Sequence, residues 1–195
     1  LERCGADLIH CDVMDGSFVP KITFGSDMIA AVRRHTSLPL DVHLMCVSPQ
    51  NKVEEFVRAA ASGLTVHFEA CIDKTKQILQ YIRSFGVRAG ISISPDTPVS
   101  SVYDVLEYAD MLLVMSVYPG RGGQKLLERT LAKAEEARSF FENTGLKRDI
   151  EMDGGINEEN AAQVIASGVN ILVAGNTVFR SQDMTKTIAQ LREAR

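Results

Sequence analysis

The sequence predicts a parallel α/β fold in which seven βα units form most of a barrel. Short β-rich runs alternate with longer amphipathic runs, which is typical of parallel strands joined by helical crossovers. Polar residues recur at one depth in several strands, and glycine-rich loops follow the last three strands. A doubly wound sheet would show the same alternation, but no GxGxxG sequence follows the first strand. We therefore expect a barrel of the (β/α)8 type with seven of its units visible.

Each unit begins with a short strand and continues into a helix. The predicted strands lie at residues 7–14, 38–45, 64–69, 88–94, 111–117, 149–154 and 170–175. The predicted helices lie near residues 26–35, 50–62, 73–85, 99–108, 124–143, 158–167 and 183–193. Four glycines stand between a helix and the next strand, where helix C-caps occur: Gly63, Gly86, Gly145 and Gly168. No linker interrupts the series, so we expect one domain over residues 1–195.

Composition argues against several classes of function. The chain has 195 residues, of which 45% are hydrophobic and 24% charged, enough for a sizeable core. Its net charge of -4 argues against a nucleic-acid partner, and no apolar run reaches the ~18–20 residues of a membrane-spanning helix. No signal peptide is visible, and the cysteines have no ligand-like spacing. We expect a cytoplasmic protein with reduced thiols and no membrane partner.

Charged residues interrupt four strands that otherwise look buried, always in the later half of the strand. Because side chains i and i+2 of a strand share a face, each strand aligns these residues on one side. The sets are His10, Asp12 and Met14; Asp41, His43 and Met45; Thr65, His67 and Glu69; and Glu151 with Asp153. Taken singly, a strand histidine is usually a hydrogen-bonded core residue and a strand-end aspartate a helix cap. Together they indicate one site at the carboxyl ends of the strands, suited to a divalent ion such as Zn, Fe(II), Mn or Co.

Glycine-rich loops give a second signal at the same end of the predicted barrel. They read YPGRGGQK (118–125), DGGIN (153–157) and AGNT (174–177). Glycines let backbone N–H groups approach a ligand closely, and a helix start favours an anion. A single loop of this kind is as well explained by a tight turn, whereas three in succession indicate a phosphate site.

Five motifs resemble, in order and spacing, those of the ribulose-phosphate 3-epimerase family. They read HCDVMDGSFVPKITFG, LPLDVHLM, VHFEA, VMSVYPGRGGQK and MDGGIN, and the similarity spans essentially the whole chain. The resemblance implies a (β/α)8 barrel, one divalent metal ion and an isomerase activity. The expected reaction interconverts D-ribulose 5-phosphate and D-xylulose 5-phosphate by two-base proton transfer through an enediolate.

The resemblance also implies roles for individual residues. The metal ligands would be His10, Asp12, His43 and Asp153. Asp12 and Asp153 would also be the two catalytic acid–base groups, and His43 and Asp153 would contact substrate. The phosphate end would be held by Gly120, Gly122, Gly123, Gly154, Gly155, Gly175 and Asn176. Three methionines would line the reaction centre, although barrel packing explains them equally well: Met14, Met45 and Met115.

The sequence departs from the family pattern in two places. The family begins with a strand carrying a Pro-Ser-Ile-Leu type motif, followed by a helix, and residues 1–5 resemble only the end of that helix. We therefore expect a domain that is incomplete at its N-terminus, with two unpaired edge strands and impaired stability and activity. Arg121 stands where the family has an aromatic or apolar residue, and it either pairs with phosphate or is solvated.

The expected partner is a small phosphorylated sugar, and a homo-oligomer is possible. One alternative keeps the mechanism but takes allulose 6-phosphate, because the sequence does not show the size of the pocket. A second alternative is an inactive remnant that still binds phosphate or metal. A lyase related to hexulose-phosphate synthase is disfavoured, because position 14 is methionine where those lyases have a lysine.

Overall fold

A single sheet of seven parallel strands forms the centre of the molecule, in a computed structural model that describes residues 1–194. The strands are β1 Ile9–Met14, β2 Leu40–Met45, β3 Gly63–His67, β4 Arg88–Ile93, β5 Met111–Met115, β6 Asp149–Asp153 and β7 Ile171–Val173. Each strand pairs with its neighbours in sequence, as successive βα crossovers require. The prediction of seven parallel βα units is confirmed, and the strands form a half-barrel. Within residues 1–194, β1 and β7 are the edges and do not pair with each other.

Six of the seven predicted helices overlap an α-helix, but the one predicted at 124–143 begins only at Leu131, and the short helices after the third and seventh strands were not predicted. The α-helices are α1 Ser26–Arg33, α2 Val53–Arg58, α3 Phe68–Cys71, α4 Thr75–Ser84, α5 Leu131–Thr144, α6 Ala161–Ala166, α7 Asn176–Phe179 and α8 Met184–Glu193. Shorter 3₁₀ turns occupy Glu2–Cys4, Pro49–Asn51, Ile72–Lys74 and Glu128–Thr130. The predicted helix at 99–108 is a 3₁₀ helix, Val99–Tyr108, whose serines and β-branched residues disfavour an α-helix.

Two local predictions are wrong. Gly63 is the first residue of β3 rather than a cap, and the left-handed residue after α2 is Ala60, with φ 65°. Glu69, which strand alternation placed at the end of the third strand, lies in α3. The other three predicted cap glycines do have positive φ angles, between 72° and 99°.

The two faces of the sheet differ in chemistry. The outer face carries fully buried aliphatic residues such as Leu40, Val42 and Leu44, which pack in one large core that includes residues of the surrounding helices. The inner face carries the polar residues, and five of them are fully buried: His43, Thr65, His67, Ser92 and Glu151. Strands covered on both faces normally read as continuous apolar runs, so this polar interior marks the functional part of the molecule. Among the described residues, no helix is both long and apolar enough to cross a membrane.

Candidate metal centre and active site

Four predicted ligands converge on the inner face near the carboxyl ends of the strands. His10, Asp12, His43 and Asp153 each offer one ligating atom, and these atoms all lie within 4.8 Å of one another. Asp12 lies opposite His43 in the β1–β2 register. Asp153 comes from β6, five strands away along the sheet, so the curvature of the half-barrel brings it to the cluster.

His10 is held between carboxylates. Its Nδ1 lies 2.6 Å from Oδ2 of Asp41 and 3.2 Å from Oε1 of Glu151, while its Nε2 lies 3.3 Å from Oδ1 of Asp12. Burial opposes protonation of His10, but the charge of Glu151 and the contacts with Asp12 and Asp41 outweigh it. The pKa of His10 is therefore raised well above its usual value.

His43 lies in a different environment. It is fully buried, with Nδ1 3.1 Å from Oδ1 of Asp12 and Nε2 2.9 Å from Nε2 of His67. Burial lowers the pKa of His43 to about 4, although the contact with Asp12 acts in the opposite direction. His43 is therefore neutral near pH 7, which is the form of imidazole that ligates a metal.

The pKa values of the two aspartates in the cluster are shifted in opposite directions. Burial would raise the pKa of Asp12, but its close contacts with His10 and His43 hold that pKa well below its usual range. Burial raises the pKa of Asp153 to about 7, and the negative charge of Asp12 adds to this effect. Two carboxyl groups in one site whose pKa values are pushed apart can act as a proton acceptor and a proton donor.

Glu151 lies one layer below Asp153 on β6 and has no exposed surface. Neither of its carboxyl oxygens has a hydrogen bond of good geometry within residues 1–194, since Nδ1 of His10 is directed at Asp41. Burial and the charge of Asp41 raise the pKa of Glu151 to about 8. His10, Asp41 and Glu151 thus form a second cluster with ligand-like spacing beneath the first.

The donor set of the upper cluster fits a divalent metal ion. Two imidazole nitrogens and two carboxylate oxygens suit Zn, Fe(II), Mn or Co, and an unprotonated Nδ1 on His43 beside Oδ1 of Asp12 would place two electron-rich atoms 3.1 Å apart. A bound cation would relieve that repulsion. Three strands therefore present the atoms that a metal site of this kind needs.

The three glycine-rich loops meet beside the cluster, as predicted from the sequence. A cavity of about 1060 Å³ reaches from His10, Asp12 and Asp153 to the gap between β1 and β7. All seven residues predicted for the phosphate end line it: Gly120, Gly122, Gly123, Gly154, Gly155, Gly175 and Asn176. His43 does not line the cavity, because it is buried behind Asp12.

At Gly120, Gly154 and Gly155 the glycine loops pack so tightly that a side chain could not replace the glycine hydrogen. A Cβ atom on Gly155, whose φ is 67°, would collide with the backbone of the 118–125 loop at Gln124 and Leu126. A Cβ on Gly123 would lie 3.0 Å from Nδ2 of Asn176. The loops after β5, β6 and β7 therefore contact one another through backbone and short side chains, which leaves backbone groups close to the cavity.

The predicted methionines and Arg121 occupy different surroundings. Met14 and Met45 face each other across β1 and β2, and Met115 lies opposite Asp153 across β5 and β6. All three are nearly buried and line the cavity. Arg121 is exposed at the tip of its loop, where its carbonyl accepts a hydrogen bond from Gln124.

Comparison with known proteins assigns the chain to a family. The profile described as "Ribulose-phosphate 3 epimerase family" matches residues 1–179. The chain belongs to this family. The ribulose-phosphate 3-epimerase of Bacillus subtilis (strain 168) is 45% identical over 194 residues, which are 98% of this chain and 88% of that protein. The chloroplastic ribulose-5-phosphate-3-epimerase of Arabidopsis thaliana is 42% identical and matches 100% of this chain and 70% of its own length.

The fold is also similar to that of proteins outside the epimerase family. A crystal structure of 3-hexulose-6-phosphate synthase superimposes with a TM-score of 0.68 at 14% sequence identity, covering 95% of this chain and 98% of that one. At this identity the similarity concerns the fold alone.

Sequence reasoning placed the polar residues on the correct face but missed the contacts beneath the cluster. Asp41, His67, Glu69 and Glu151 were grouped by alternation with the predicted ligands, yet received no role. For Asp41 and Glu151 the available signal was their position two residues before a predicted ligand, His43 and Asp153; no such signal marked His67 and Glu69. That signal does not show which strands approach one another across the barrel.

Proposed function

We propose that the chain is a metal-dependent epimerase that interconverts D-ribulose 5-phosphate and D-xylulose 5-phosphate by inverting C3. The observation that carries this proposal is the pairing of Asp12 and Asp153 in one cluster with opposite proton affinities. The name of the relatives, ribulose-phosphate 3-epimerase, supplies the substrate. The family relationship and the site geometry point to the same reaction.

The reaction requires two acid–base groups. The proton on C3, beside the ketone, must leave from one face, and a proton must return on the other face of the planar enediolate. Asp12, which is held ionised by two histidines, suits the proton acceptor, and Asp153 suits the donor. In the reverse direction the two carboxyl groups exchange these roles.

His10, Asp12, His43 and Asp153 would hold the metal ion, whose identity among Zn, Fe(II), Mn and Co we leave open. When bound, the ion supplies Lewis-acid stabilisation of the enediolate oxygens. His10 and His43 then act by position, because each is fixed through its second ring nitrogen.

The phosphate end of the substrate would lie against the loops after β5, β6 and β7. Supporting this placement, the loop glycines and Asn176 line the same cavity as Asp12 and Asp153. Anchoring the phosphate there extends the sugar toward the cluster. Met14, Met45 and Met115 would border the reacting carbons with polarizable groups that cannot donate a proton.

We also propose a single domain located in the cytoplasm. One continuous sheet supports the single domain, and the four cysteines are free. A small phosphorylated sugar is the proposed partner.

Incubation with ribulose 5-phosphate in D2O tests the proposed function directly. With Zn²⁺, Mn²⁺, Co²⁺ or, under anaerobic conditions, Fe²⁺ added to chelator-treated protein, we expect deuterium at C3 and formation of xylulose 5-phosphate. Excess chelator should remove both signals. Allulose 6-phosphate, assayed in parallel, should turn over more slowly. Absence of exchange with every metal, in protein that is folded by circular dichroism, would contradict the proposal and favour an inactive phosphate-binding remnant.

A further inference from the structure

A chain of three side chains connects the metal cluster to the loop after β4, and we call it the β3 relay: His43, His67 and Glu69. The Nε2 atoms of His43 and His67 are 2.9 Å apart, and Nδ1 of His67 lies 3.0 Å from Oε2 of Glu69. His67 is fully buried, and the ring of Phe18 packs against it with the centroids 4.7 Å apart. The relay is therefore shielded from water along its central part.

The outer end of the relay is fixed by a backbone N–H, which can only donate a hydrogen bond. Oε1 of Glu69 accepts a hydrogen bond of 2.7 Å from the backbone N–H of Ser94 and another from the hydroxyl of Thr97. These bonds and the one from His67 hold the pKa of Glu69 at about 2 although burial opposes this, so the group is a carboxylate. Its Oε2 is then left to accept from His67.

These contacts determine where the protons of both histidines lie. Because a carboxylate only accepts, Nδ1 of His67 carries the proton, and with one proton on the ring its Nε2 is an acceptor. Nε2 of His43 must therefore carry the proton of the bond between the two rings. Nδ1 of His43 is left unprotonated, and it faces Asp12, the other ligand of the cluster.

We propose that His67 and Glu69 are positioning residues that hold His43 in its Nε2–H tautomer and so present its Nδ1 atom to the metal ion. This inference rests on the proposed metal centre and extends it to two residues outside the ligand set. Partners that donate to or accept from a ligating histidine typically change metal affinity by about 10- to 100-fold when they are lost.

The substitution Glu69→Gln reverses the direction of the hydrogen bonds along the relay, because glutamine has the shape of glutamate but carries a donor in place of one oxygen. The backbone N–H of Ser94 can only donate, so the amide oxygen must take the place of Oε1 and the amide nitrogen that of Oε2. The amide then donates to Nδ1 of His67, whose Nε2 becomes the donor to His43. We expect His43 to change to its Nδ1–H tautomer, and the affinity for Zn²⁺ or Co²⁺ to fall by about 10- to 100-fold.

Two substitutions of His67 provide an independent test. In His67→Phe the ring packing against Phe18 is kept but the acceptor is lost, so metal affinity should fall as in Glu69→Gln. In His67→Gln the amide oxygen can accept from Nε2 of His43, so affinity should return to within a few-fold of the parent chain. Ser92→Ala is the matched control, because Ser92 lies opposite His67 in the β3–β4 register and its buried hydroxyl has no partner within residues 1–194.

The tautomer of His43 is read from ¹⁵N chemical shifts in the metal-free and zinc-bound full-length chain, and affinity from competition with a chelator. Neither measurement depends on turnover, so a chain that binds metal through the relay but fails to epimerise would contradict only the proposed function. An Nδ1–H tautomer of His43 in the parent chain would overturn the relay. Equal metal affinities, within twofold, in the parent, Glu69→Gln and His67→Phe chains would also overturn it.

Discussion

The carboxyl groups on the two sides of the metal cluster differ in their hydrogen bonding. On the β1–β2 side, ring nitrogens of His10 and His43 lie 3.3 Å and 3.1 Å from Oδ1 of Asp12, and each histidine is fixed by a second partner. On the β6 side, Asp153 has no side-chain hydrogen bond within residues 1–194, and buried Glu151 has none either. The first side is organised before any ligand arrives, whereas on the second side Asp153 is half-buried without a side-chain hydrogen bond and Glu151 has only a 3.2 Å contact with Nδ1 of His10.

This difference explains how two aspartates in one site acquire opposite tendencies. The hydrogen bonds around Asp12 stabilise its charge, and the burial of Asp153 penalises its charge. One carboxyl group is therefore ready to take a proton while the other still holds one. The β1–β2 side fixes the geometry of the centre. On the β6 side, Asp153 supplies a proton that can be exchanged.

The largest expected effect comes from exchanging each aspartate for asparagine. Asp12→Asn and Asp153→Asn should each lower kcat by about 10³-fold or more, because each removes both a ligand and an acid–base group. Their effects on the stability of the metal-free protein should have opposite signs. Asp12→Asn should cost about 1 kcal/mol of unfolding free energy, a modest value because the Asp12 side chain is 39% exposed. Asp153→Asn should raise the melting temperature at pH 8, since it removes a half-buried charge that no side-chain hydrogen bond stabilises.

Kinetics with saturating metal and thermal melts in the presence of chelator check both halves of this prediction. Glu158→Gln, at an exposed position in the loop after β6, is the control for handling and expression. Equal destabilisation by the two substitutions would show that the sides of the cluster do not differ as described.

The second prediction concerns the dependence of metal affinity on pH. Asp153, with a pKa of about 7, and His10, with a raised pKa, must both lose a proton to ligate. His43, with a pKa of about 4, adds no proton between pH 5 and 7. The association constant for Co²⁺ should therefore fall by about 10- to 100-fold for each pH unit below 7.

Chelator competition between pH 5.5 and 8 measures this slope, with circular dichroism at each pH as the check that the chain is folded. An affinity that does not change between pH 5.5 and 7.5 would mean that Asp153 is already ionised in the metal-free protein. The contrast with Asp12 would then disappear.

Much of the site could be predicted from the sequence because strand alternation is a strong geometric rule. The period of two placed His10 and Asp12 on one face, and the βα order made β1 and β2 neighbours. The same rule grouped Glu151 with Asp153. The glycine-rich loops predicted a phosphate site from the sequence itself, the individual ligands and loop residues came from the family resemblance, and the structure brings these residues together.

The rest could not be predicted because it depends on distances across the barrel and on backbone geometry. Alternation placed Glu69 on a strand, but β3 ends at His67, and Glu69 reaches its partner from α3. The contact between His10 and Glu151 joins β1 to β6, which no local pattern reveals. Proton affinities depend on such contacts, so the difference between Asp12 and Asp153 became visible only in three dimensions.

The smallest expected effect concerns Glu151, the other carboxyl group on the β6 side. Its pKa is raised from 4.5 to about 8 in the folded chain. The folded state therefore binds more protons than the unfolded state between these values. This contribution to stability is fully present below pH 4.5 and is lost as the pH rises through 8. Glu151→Gln cannot titrate, so at pH 8 the metal-free variant should melt about 2–4 °C above the parent. At pH 5 the two should melt together, because the parent glutamic acid is then as neutral as the amide. A parent that gains stability relative to Glu151→Gln as the pH rises would show that Glu151 is ionised in the fold, with His10 protonated beside it. Glu151 and His10 would then form an ion pair, and Glu151 would not carry a proton that can be exchanged.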